Sequence, residues 1–191
     1  MSKGRLEAFS DGVIAILITL MVLELKVPEG ASVEELRAIV PVFLSYLLSF
    51  VMLGIYWNNH HHLFHAARRV NGAILWANLH LLFWLSLITP MTGWVGKTGS
   101  APLPTAIYGG VLALSGIAYY VLSLTLVREE GPDSLLAVAV GKDTKGRVSI
   151  GVYLVAVPLA FVRPWLANAL YVMVALMWLV PDRRIESKIV P

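Results

Sequence analysis

Apolar residues fall in blocks too long for strands and too continuous for an alternating pattern. Six blocks approach the roughly 20 residues that a helix needs to cross a bilayer core of about 30 Å. They are Phe9–Leu25, Leu36–Tyr56 with a polar tail to His65, Val70–Val95, Pro102–Val127, and the shorter Val148–Val162 and Pro164–Val180. Pro164 separates the last two, because proline disfavours helix in the residue before it, Arg163, and itself suits a helix start. The seven residues Ser134–Val140 are too few to cross and are expected to form an interfacial or loop segment. A barrel strand needs only about 10 residues with period-two alternation, which these blocks lack. Helices satisfy their own backbone in lipid. The expected fold class is an all-α membrane protein with six transmembrane helices, one domain over residues 1–191. No cleavable leader is expected, since no small-residue cleavage site follows the first block. No internal repeat stands out, which weakens an inverted-repeat transporter architecture.

Composition sharpens this picture. Hydrophobic residues make up 58% of the 191 and charged residues 14%, and the mean hydropathy is +0.74. A soluble domain is about 45–50% apolar and about 25% charged, so a water-soluble globular fold and intrinsic disorder are excluded. The absence of cysteine excludes disulfides, iron–sulfur clusters and thiolate chemistry. A net charge of +3, with no long basic run, gives nucleic-acid binding no support. The positions of the basic residues matter more than their number. Lys3, Arg5, Arg68, Arg69, Arg128, Lys142, Lys145, Arg147, Arg183, Arg184 and Lys188 lie on one side of a six-span arrangement. Lys26, Arg37, Lys97 and Arg163 lie on the other. Eleven against four is a positive-inside bias that sets both termini in the cytoplasm of a multi-pass cell-membrane protein.

The first block carries the most information. Arg5, Phe9, Gly12, Ile16, Leu20 and Leu23 are spaced 4, 3, 4, 4 and 3 apart, one face of a helix close to a heptad seam. Thr19 sits beside it. Such a seam packs against a neighbour or, where four copies surround an axis, lines a narrow pore; spacing leaves both open. Buried polar groups in a membrane need partners. Ser10 and Asp11 enter the first span at the depth where Trp57 and His60 leave the second and Asn78 enters the third. A hydrogen-bonded network of Arg5, Ser10, Asp11, Trp57, His60 and Asn78 is therefore expected, with Ser49 two turns from Trp57 on the same face. Trp57, Trp94, Trp165 and Tyr108 near span ends suit interfacial anchors.

Arg5-x-x-x-Phe9-Ser10-Asp11-Gly12 ahead of an Ile/Leu/Thr-rich span resembles the signature of the transmembrane protein 175 potassium channel family. Tyr56-Trp57-Asn58-Asn59-His60-His61, the pair Arg68-Arg69, Trp76-Ala77-Asn78-Leu79 and Pro90 closing the third span resemble it as well. The likeness covers about the first 95 residues. Asn71 departs from it, standing where an acidic residue is expected after the basic pair. The resemblance implies a homotetramer of six-helix subunits in which helix 1 lines a central potassium pathway. It implies a constricting ring five residues after the Asp, at Ile16, followed by Leu20 and Leu23, with the Thr19 hydroxyl affecting selectivity. The polar network it implies agrees with the one expected above. No T-V-G-Y-G string exists to build a carbonyl filter. An isoleucine ring dewets and blocks hydrated ions until the helices rotate or splay.

Two other functions compete. A proton-coupled secondary transporter would carry protons on Asp11 and His60. A metal enzyme would use the cluster His60, His61, His62 and His65, of which His61 and His65, four apart, share a face; histidine also titrates near neutral pH. Neither a bound metal nor an organic cofactor is expected. The partners the resemblance implies are further copies of the chain in a homotetramer, the lipid bilayer and permeant potassium ions. Glu24 is either a solvated helix end or part of an outer mouth that attracts cations.

Overall fold

The structure, a computed structural model, describes residues 2–28, 30–141 and 143–179. Lys142, Val180, Arg183, Arg184 and Lys188 of the sequence expectations lie outside the described residues. Seven helices are described: α1 (Lys3–Val22), α2 (Val33–Ala66), α3 (Gly72–Lys97), α4 (Pro102–Glu130), α5 (Leu135–Val140), α6 (Thr144–Val162) and α7 (Pro164–Leu179). Each of the six apolar blocks falls on one of the longer helices. Four of them, α2, α3, α4 and α6, are long and apolar enough to cross a membrane, and α7 is a shorter apolar helix. At 34 residues, α2 is about 50 Å long and outreaches a bilayer core.

Local chemistry sets the ends. The Ser32 hydroxyl accepts from the Glu35 amide at 3.2 Å and opens α2. The Asn71 carbonyl oxygen accepts from the Ile74 amide at 3.0 Å and opens α3. Pro102 stands in the first turn of α4. Asp143, at φ 40°, opens α6 through the Gly146 amide. The helix break at Arg163-Pro164 lies where the sequence places it, and the Ser134–Val140 stretch holds only the six-residue α5.

The packing is led by α3 on α4 and α4 on α6; α7 lies on α6, α2 on α3, and α1 against α3 and α2. Glycine permits the closest approaches. A Cβ on Gly96 would lie 2.9 Å from the Val42 Cα, so α2 and α3 touch backbone to backbone there. Gly109 makes room for the Tyr171 hydroxyl, which donates to the Thr105 carbonyl at 3.0 Å.

Three local expectations change. Helix α1 starts at Lys3 rather than Phe9 and ends at Val22 rather than Leu25, because a helix can begin in water before it meets lipid and Leu23–Leu25 close into turns. Pro90 does not close α3, which continues two turns to Lys97; in a packed membrane helix neighbouring groups absorb the missing amide bond. Tyr108 is not an interfacial anchor. It is buried at 3% exposure, its hydroxyl 2.9 Å from the Ser49 hydroxyl.

Candidate pore-lining helix and its anchor

Helix α1 has two faces. Leu6, Ser10, Ile14, Leu17 and Met21, spaced 4, 4, 3 and 4, are all buried and bind it to α2 and α3. The opposite stripe stays open. Phe9, Ile16, Leu20 and Leu23 are large, apolar and unburied, Ile16 at 59% and Leu23 at 72% exposure. Gly12 and Thr19 lie on the same open side. The Thr19 hydroxyl donates to the Ala15 carbonyl of its own helix at 2.8 Å, which holds the oxygen outward with its lone pairs free to accept.

Polar contacts fix the rotation of α1 at several depths, most of those within the span on the buried face. Asn78 is the hub at the N-terminal end. Its Nδ2 donates to the Ser10 hydroxyl at 2.9 Å, and Ser10 donates to the Leu6 carbonyl at 2.9 Å. The Asn78 Oδ1 lies 2.8 Å from His60 Nε2. A carbonyl oxygen only accepts, so Nε2 carries the proton and the His60 tautomer is set. The bonds therefore run in one direction, from His60 to Asn78 to Ser10 to the α1 backbone, with all three side chains buried. Deeper in the span, Thr89 donates to the Leu17 carbonyl at 3.3 Å. Thr92 lies 3.9 Å from the Met21 sulfur and 2.6 Å from the Ser49 hydroxyl, which continues to Tyr108. Outside the apolar stretch, the Lys3 ammonium donates to the Ala67 carbonyl at 2.9 Å and ties the start of α1 to the end of α2.

The six polar residues expected to form one network divide. Ser10, His60 and Asn78 form the buried chain. Trp57 and Asp11 form a second link, Trp57 Nε1 donating to the Asp11 carboxylate at 3.0 Å nearer the surface. Arg5 joins neither. It is exposed, with no hydrogen bond or ion pair among the described residues. Five residues before Ser10, it sits about 140° around the helix from it, on the open stripe. Thr89 and Thr92 were missed by sequence reasoning, and Tyr108 was placed at an interface instead; the available signal was hydroxyls within apolar spans.

The histidine cluster also divides. His60 turns inward against Phe64, ring centroids 4.5 Å apart, while Trp57, His61 and His65 stack along the exposed side of α2 at 6.1 Å spacings. Asn71, the departure from the acidic pattern, keeps the α2–α3 loop in place by another route. Its Nδ2 donates to Glu129 at 2.6 Å, and Glu130 accepts from the Arg68 and Arg69 amides, so the loop is bound to the end of α4.

Comparisons with known proteins point to one family. The family described as endosomal/lysosomal potassium channel TMEM175 matches residues 5–89, the segment that holds α1, the buried chain and most of α3. A potassium channel of Chryseobacterium sp. (strain P1-3) is 53% identical over 189 residues, covering 99% of this chain and 98% of that one. The human endosomal/lysosomal proton channel TMEM175 is 41% identical over 86 residues, 39% of this chain and 17% of that one. Among solved structures, the crystal structure of a lysosomal potassium-selective channel TMEM175 homolog from Chamaesiphon minutus superposes with a TM-score of 0.81. It is 31% identical and covers 93% of this chain and 96% of its own.

Proposed function

The chain belongs to the TMEM175 family and is a multi-pass membrane protein, and from that premise we propose that it is a potassium-permeable cation channel in the cell membrane. Six helices, α1 to α4, α6 and α7, cross the bilayer with both termini cytoplasmic, and the 191 residues form one channel unit. Four copies assemble with α1 innermost. The observation that carries this is the two-faced α1: one side is buried and held by polar contacts at three depths, while the other offers an apolar stripe that the described residues leave about half exposed or more. Potassium channels are the named function of the relatives that match over the full length.

In the tetramer Ile16, Leu20 and Leu23 meet their symmetry copies and close the path with apolar rings. A narrow apolar ring dewets and excludes a hydrated ion. Thr19 offers hydroxyl oxygens to an ion that has shed part of its water, and potassium sheds water more readily than sodium. Opening rotates or splays α1, and the chain from His60 through Asn78 to Ser10 sets its resting angle.

The test is reconstitution in a planar bilayer under opposed potassium and sodium gradients. A reversal potential near the potassium equilibrium value supports the proposal. Flux that is stoichiometrically coupled to protons supports the transporter on Asp11 and His60 instead. A bilayer with no current, from protein that is monomeric by mass measurement, rejects the channel.

A further inference from the structure

The far end of α1 carries a charge that the pore proposal leaves unused. Immediately after Leu23, the Glu24 carboxylate lies 2.6 Å from the Lys97 ammonium in the last turn of α3. Gly93 stands one turn before Lys97 on the same face of α3. A Cβ there would lie 3.0 Å from the Glu24 carboxylate, so the side chain rests directly on the α3 backbone. Glycine provides the seat and lysine the counter-charge. Lys97 is also suited to its place at a helix C-terminus, where cations are stabilised.

The pair is partly solvated, with Lys97 at 57% and Glu24 at 35% side-chain exposure, and exposed ion pairs add little stability. Its consequence is electrostatic. Where α1 copies surround an axis, Glu24 is the first ionisable side chain beyond the apolar rings, and an unpaired carboxylate there would concentrate cations. A lysine on each carboxylate cancels that field.

We propose that Lys97 is a positioning residue for permeation: it holds Glu24 against α3 and neutralises the outer mouth, so cations enter without an acidic antechamber. This rests on the channel function proposed above. Removing the lysine charge frees four carboxylates at the entrance and raises cation entry from that side.

The experiment compares wild type, Lys97→Gln, Lys97→Arg and Lys97→Gln/Glu24→Gln in planar bilayers at about 20 mM and about 500 mM potassium. At low salt the Debye length is long enough for the carboxylates to act on the mouth, and at high salt it shrinks to a few ångströms. Lys97→Gln is expected to raise inward single-channel current roughly twofold or more at low salt. Outward current changes less. The gain disappears at high salt and in the double variant, and Lys97→Arg behaves as wild type. A structural role alone would not follow ionic strength in this way. A conducting wild type with Lys97→Gln unchanged at low salt overturns this inference and leaves the channel standing. A gain that persists in the double variant also overturns it. A silent wild type overturns the channel and this inference together.

Discussion

Asn78→Ala isolates the polar chain proposed to set the angle of α1. Asn78 is fully buried and carries two bonds, from His60 and to Ser10. Bonds between membrane helices average about 0.6 kcal/mol each, so the two together set a floor of about 1 kcal/mol. The variant also leaves His60 Nε2–H buried with no acceptor, which raises the cost to about 2–3 kcal/mol. Ser10→Ala removes the bond from Asn78, leaving one amide hydrogen unpaired, and the local bond to the Leu6 carbonyl, together about 1 kcal/mol. Thermal unfolding of the purified protein is the assay. For a chain of this length, 1 kcal/mol moves the midpoint by about 2–4 °C, so Asn78→Ala should lower Tm by about 5–10 °C. The double variant should unfold close to Asn78→Ala alone, because the shared bond is already gone, with a coupling above about 0.5 kcal/mol. Thr125→Ala is the control: its exposed hydroxyl bonds only to the Val121 carbonyl, and its effect should stay within about 0.5 kcal/mol. Additive single effects, or an Asn78→Ala protein as stable as the control, would show that the chain does not hold α1.

Ile16→Asn places a wettable group at the first of the proposed apolar rings, so single-channel conductance should rise and selectivity should loosen; unchanged currents would remove Ile16 as the constriction. Asp11→Ala breaks the bond from Trp57 and should alter assembly or open probability while leaving the reversal potential in place, and a shifted reversal potential would assign Asp11 to the ion path instead. Gly96→Ala sets a Cβ 2.9 Å from the Val42 Cα, a backbone that cannot turn aside, and should cost about 1–3 kcal/mol by thermal unfolding; a neutral result would mean that α2 and α3 separate freely at that point.

The helical architecture was legible because bilayer thickness imposes a length that apolar composition reveals directly. Helix ends were less so. Lys3, Arg5 and Glu7 sit in the water-facing start of α1, where hydropathy reports solvent rather than loop. Pro90 has the residue type of a terminator, yet α3 runs past it because packing against neighbours outweighs one lost amide bond. Tyr108 shows the same gap: sequence gives its amphipathic character but not that Ser49 waits across the interface with α2. In the candidate site, Ser10, His60 and Asn78 could be grouped because each is polar at one depth in an apolar span. Arg5 was grouped with them by proximity in sequence, but depth without angle is not contact. The apolar stripe of α1 was legible as a pattern. Only the structure shows that this stripe stays largely exposed while the opposite face is buried.

The chain contains no cysteine, so a single Ile16→Cys substitution creates one thiol per subunit at the centre of the stripe. Oxidative crosslinking of this variant in native membranes, with Val155→Cys on an exposed face of α6 as the comparison, places α1 directly. If α1 surrounds the axis, Ile16→Cys copies join into covalent dimers within the tetramer, and micromolar cadmium blocks the current, while Val155→Cys does neither. If Ile16→Cys stays monomeric and reacts only with lipid-phase reagents, α1 faces the bilayer and the pore cannot be where it is proposed.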